Sequence, residues 1–149
     1  RRYYFSSIID AYSRFAFVTL VPSLSSKNTL QAFLEFKEKY PKKILTVQTD
    51  NGGEFLGEFH KFLIEENIKH ELIYFRSPKI NGVVERFNRT IQEEFINRSE
   101  EIFFDLKKFE EKMINYLNWY NFKRPHYSLN FQTPYSYLTK ETIIEKSNM

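Results

Sequence analysis

The chain has 149 residues, enough for one domain with a proper core, and carries a formal net charge of +3 with a pI near 9.0. Such mild basicity suits a nucleic-acid partner without establishing one. With no Cys, disulfides and thiolate metal sites are excluded, and neither an apolar run of membrane length nor a signal-peptide pattern is present.

Tyr3–Ile9 and Phe15–Val21 are rich in aromatic and β-branched residues and flank the turn-like DAYSR, which predicts an antiparallel hairpin closed by Pro22. Ser25 or Ser26 can cap a helix running to about Lys39, with Leu30, Phe33 and Leu34 inward and Pro41 as its stop. Ile44–Thr49 reads as a short strand entering DNGG, and Phe55, Phe59, Phe62 and Leu63 mark one greasy face of a helix over Glu54–Glu66. A further strand is expected over Ile68–Tyr74, followed by the loop-forming RSPKING, where Pro78 and Gly82 break regular structure. Val84, Phe87, Ile91 and Phe95 line the next helix; Leu106, Phe109, Met113, Leu117 and Tyr120 line a last long one from Asp105 to about Phe122. An irregular KRPHYSLNFQTP precedes a short helical stretch near Tyr135–Leu138. Strands alternating with helices indicate an α/β layered domain whose sheet starts antiparallel. No repeat or linker divides it.

The chemistry centres on TDNGGEF, where Asp50 ends a predicted strand, the place where open α/β sheets put their ligands. Glu85 lies in the first turn of the helix expected after SPKING, 35 positions on, with one helix and one strand between. A strand–helix–strand unit returns the chain to the same sheet edge, so the two carboxylates can converge. Paired acids repel, and a divalent cation reverses that problem. Oxygen donors without His or Cys suit Mg²⁺ or Mn²⁺, and a pair of such ions supports phosphoryl transfer. Gly52 and Gly53 would keep bulk away from an approaching phosphate backbone. His60, His70 and His126 are too scattered to suggest a zinc site. Singly, DNGG is more often a turn and helix cap, and Glu85 more often a first-turn acid facing the helix dipole. Only the joint spacing and order favour a site.

Four segments, IIDAYSRFAFVTLVP, TDNGGEF, SPKINGVVERFNRTIQEEF and WYNFKRPHYSLNFQTPYSYL, together resemble the catalytic core of bacterial insertion-sequence transposases and retroviral integrases, the DDE group. The likeness runs through about Leu138, which divides the chain into a core, 1–138, and a tail, 139–149. It implies a ribonuclease H-like mixed sheet flanked by helices. It maps the family's second catalytic Asp onto Asp50 and its Glu onto Glu85. The family's first Asp lies on a central first strand upstream of the match to Tyr3–Ile9, so a truncated core is expected, inactive by itself. Asp10 falls instead at the end of the second strand, as a hairpin residue bonding Ser13 or Arg14.

The resemblance further implies Mg²⁺-dependent (or Mn²⁺-dependent) nicking of element ends and transfer of the 3′-hydroxyl into target DNA. It also implies a homo-multimer in a bacterial cytoplasm, nucleoid-associated when on DNA, with no membrane and no zinc. Arg89 and Gln92 share the Glu85 helix face and are expected to touch DNA, with Asn51, Gly52, Asn81 and Gly82. Many relatives carry Lys or Arg where Gln92 stands. Arg86 flanks that face with no assigned role. WYNFKRPHYSL, basic and aromatic, is read as structural first, although such mixtures can bind nucleic acid. Two alternatives stay open: an inactive remnant serving as a DNA-binding or oligomerisation module, and another ribonuclease H-like nuclease.

Overall fold

Two short sheets carry the strands. In the computed structural model, which describes residues 3–73 and 78–147 (for 78–81 and 141–147 the backbone alone), β1 (Tyr4–Ile9) pairs with β2 (Ala16–Val21), and β3 (Thr46–Thr49) with β4 (Lys69–Leu72). The second pair is parallel, with Val47 opposite His70 and Thr49 opposite Leu72. Where a single mixed sheet is expected, the described residues form two separate two-stranded sheets. The chain divides into two compact units: 1–8 with 18–82, and 9–17 with 83–149.

In the first unit, α1 (Ser26–Lys39) is capped as expected, the Ser25 hydroxyl accepting from the Asn28 N–H. Its buried stripe is Thr29, Ala32, Phe33 and Phe36, while Leu34 is exposed. The periodicity centred on Phe33 holds, displaced by part of a turn from the one predicted. The helix expected over Glu54–Glu66 is two pieces, a 3₁₀ turn at Gly53–Phe55 and α2 (Glu58–Glu65). Gly57 breaks it at φ 60 and ψ −128, a conformation that side chains resist. Phe33, Phe59, Leu63 and Ile68 form the core, with Ile8, Leu30, Ile44, Val47, Phe55 and Phe62 packed on it.

The helix α3 spans Pro78–Glu94, of which 83–94 belong to the second unit, and α4 spans Leu106–Phe122, capped by Asp105 accepting from Lys108 N–H. The loop expected at SPKING is therefore helical from Pro78 onward. Proline's fixed φ suits a first helical turn, and one interior glycine costs a helix only about 1 kcal/mol. Phe87, Ile91 and Phe95 are buried as expected, and Val84 is exposed. Phe87 meets Tyr120 edge-on at 5.2 Å between ring centroids, and Phe95 meets Phe109 at 5.3 Å. The last helix, α5 (Pro134–Ser147), outruns the short stretch expected and carries buried Leu138. No helix among the described residues is long and apolar enough to cross a membrane.

Candidate active site

Asp50 follows β3 directly and is exposed. Its Oδ1 accepts from the Gly52 N–H at 2.8 Å, so the turn's own backbone orients the carboxylate. Gly52 sits close against two acidic side chains of its own turn. A Cβ there would stand 2.9 Å from Asp50 Oδ1 and 2.8 Å from Glu54 Oε2. Two carboxylates thus crowd Gly52, and Glu54 is an acid that the sequence pattern did not single out. Gly53 has open space where a side chain would project. Asn51 is exposed in the same bend.

Glu85, Arg86 and Arg89 lie on exposed positions of α3, with Glu85 and Arg89 one turn apart. Because the helix begins at Pro78, Glu85 sits two turns in, not in the first turn, and the helix N-terminus is not its partner. Gln92 is exposed and donates to Asn97 Oδ1 at 2.7 Å. A Cβ on Gly82 would meet nothing within 4 Å. The Asn81 side chain lies outside the described residues. Asp50 belongs to the first unit and Glu85 to the second.

Asp10 behaves as expected of a hairpin residue. Its Oδ2 accepts from the Ser13 N–H at 3.1 Å and the Ser13 hydroxyl at 2.6 Å, and its carbonyl accepts from Arg14 N–H. The basic and aromatic segment after α4 also turns inward. Arg124 donates through Nε and Nη2 to the two Glu94 carboxylate oxygens at 3.0 and 2.5 Å, and the Tyr116 hydroxyl donates to the same group at 2.7 Å. Burial opposes ionisation of Glu94, but these hydrogen bonds outweigh it and hold the carboxyl below its ordinary range. His126 is buried, its ring edge-on to Tyr120 at 4.6 Å between centroids. Tyr127 stands 85% exposed, and Trp119 and Phe122 are also exposed. Arg124 and His126 are thus structural.

Two histidines that looked scattered meet. His60 Nδ1 lies 2.8 Å from His70 Nδ1. Ten positions of sequence separate them, but α2 and β4 run back along one another through the turn at Asn67 (φ 58). Helix and strand rise about 1.5 and 3.3 Å per residue, so five helical steps down and two strand steps up bring the rings level.

Two models of one family match, each described as Integrase core domain, over residues 1–78 and 66–134. The chain belongs to the integrase core domain family. A putative integrase, ORF3, of Spiroplasma virus SpV1-C74 is 32% identical across 97% of this chain. The chain spans 44% of that relative's length. Among solved structures, the HTLV-2 integrase catalytic core in complex with magnesium superposes with a TM-score of 0.72. It is 24% identical, over 90% of this chain and 83% of that one. The BIV integrase catalytic core gives 0.70 at 20% identity, over 92% and 86%. At that identity the structural likeness speaks for the fold, the ribonuclease H-like α/β arrangement of integrase cores.

Proposed function

We propose that this integrase core performs DNA integration or transposition, with Asp50 and Glu85 jointly holding Mg²⁺ or Mn²⁺. The observation that carries the reading is the family match, whose two segments include both acids. The donor set fits such an ion. Both groups are exposed carboxylates, and Asp50 Oδ2 accepts no hydrogen bond among the described residues. Hard oxygen donors favour Mg²⁺ or Mn²⁺ over softer metals. The bound ion supplies Lewis-acid activation of an attacking oxygen and charge stabilisation at the leaving oxygen.

The chain's own residues supply orientation and grip. The Gly52 N–H holds Asp50 ready to ligate, lowering the reorganisation needed when DNA arrives. Arg89, one turn beyond Glu85, neutralises a phosphate beside the reacting one. Gln92 reaches a base or sugar edge as a neutral donor, and Asn51, Gly52, Asn81 and Gly82 line the strand's approach. Water attacks first at the element end, breaking a phosphodiester and freeing a 3′-hydroxyl. That hydroxyl then attacks a target phosphodiester, with no covalent protein–DNA intermediate. Two element ends call for a homo-multimer, in a bacterial cytoplasm.

The test is nicking and joining of element-end DNA in Mg²⁺ by the protein expressed from its full reading frame. Asp50→Asn and Glu85→Gln each lower both reactions by about a thousand-fold, the equivalent of several kcal/mol of charge stabilisation, while DNA binding persists. Unchanged activity in either variant removes that residue from the site.

A further inference from the structure

The pair on α2 and β4 has no part in the proposed activity. The Thr49 hydroxyl donates its single proton to the Asp50 carbonyl oxygen at 2.9 Å, and His70 Nε2 lies 2.7 Å from the same hydroxyl. With the hydroxyl proton on that carbonyl, Nε2 takes the donor role and Nδ1 of a neutral ring carries the lone pair, the tautomer a metal ligand needs. That lone pair faces His60 Nδ1 at 2.8 Å. The His70 ring is braced edge-on by Phe59, 5.8 Å between centroids.

We propose that His60 and His70 form a second metal site, for a late first-row divalent cation of the Zn²⁺, Cu²⁺ or Ni²⁺ type, separate in chemistry from the hard-oxygen site. Imidazole nitrogens suit these ions and not Mg²⁺. Two Zn–N bonds of 2.0–2.1 Å at a tetrahedral angle set their nitrogens about 3.3 Å apart, so the rings need part by only about half an ångström. His60 is exposed and His70 half-buried, which leaves the remaining coordination positions open to water. The Thr49 hydroxyl accepting from the far nitrogen is the outer-shell partner that fixes a ligating imidazole's tautomer and orientation. A bound ion would clamp α2 to β4, the strand beside the one that delivers Asp50.

The site is tested by titrating Zn²⁺ calorimetrically into the chain in buffer saturated with Mg²⁺, so that oxygen sites are already filled. The expected result is one saturable equivalent, weakened by about ten-fold or more in His60→Ala and in His60→Gln, and by roughly ten-fold in Thr49→Val. Cu²⁺ electron paramagnetic resonance reads the ligands directly: two coupled nitrogens in the parent chain, one in His60→Ala. Asp50→Asn leaves the Zn²⁺ titration unchanged, so this inference and the proposed activity fail separately. No zinc bound, or the same titration and nitrogen count in the His60 variants as in the parent, overturns it.

Discussion

At the scale of single residues, Asn121 and His126 are two of the buried polar groups described in the second unit, each with a polar partner. Asn121 accepts from Ala16 N–H at 2.9 Å and donates to Ala16 C=O at 2.8 Å, standing in for a strand neighbour at the start of β2. Asn121→Leu leaves both buried backbone groups without partners, so urea denaturation should show a loss of about 2–4 kcal/mol. His126 is held neutral: burial and then, against a hydrogen bond to the Tyr120 carbonyl, the Arg124 charge keep its pKa below 6.5. A group whose folded pKa is depressed stabilises the fold fully above its unfolded value and loses that contribution as pH falls through the folded one. Thermal stability should therefore begin to decline below about pH 6.5, and His126→Gln should flatten that step. Glu94, also depressed, contributes a later decline below its ordinary 4.5, which Glu94→Gln removes. Neither Asn121 nor His126 was legible as a core residue from sequence. Hydrophobic periodicity marks apolar faces, and a polar side chain enters a core only where a distant backbone group offers it a bond.

At the scale of elements, one cross-brace is Ser26, whose hydroxyl donates to the Leu56 carbonyl and accepts from Phe59 N–H at 2.9 Å. It joins the first turn of α1 to the start of α2, where Gly57 turns the chain. A Cβ on Gly57 would meet Ser26 Oγ only at 3.6 Å, an ordinary contact, so Gly57→Ala is resisted by backbone conformation and not by crowding. It should destabilise by about 1–3 kcal/mol in chemical denaturation. Element existence was readable from sequence: each strand and helix expected among the described residues is present, because apolar spacing and capping signals agree. Boundaries were less so. Gly57, a single residue, split one predicted helix, and Pro78, taken as a breaker, began another. In both cases the deciding fact was a backbone angle, which a residue type permits without dictating. The meeting of His60 and His70 was hidden for a related reason, since it depends on the different rise of helix and strand across one turn.

At the scale of the whole molecule, a mildly basic chain of the integrase core domain family carries two exposed acids, Asp50 and Glu85. Phosphate recognition by Arg89 predicts that Arg89→Ala weakens DNA binding about uniformly across sequences and reduces the salt slope by roughly one, read by fluorescence anisotropy at several ionic strengths. Of the proposed site, TDNGGEF and the helix after it were legible because short motifs survive in order. The support around them was not. Gly52 lies against the carboxylates of Asp50 and Glu54, and Asp10, another acid at a strand end, is bonded to Ser13. The most direct measurement is Mn²⁺ affinity, read by electron paramagnetic resonance, across a double-mutant cycle of Asp50→Asn and Glu85→Gln. If one ion is shared, each single substitution should cost about as much affinity as both together. Additive losses, or full affinity retained in either single variant, would contradict the account.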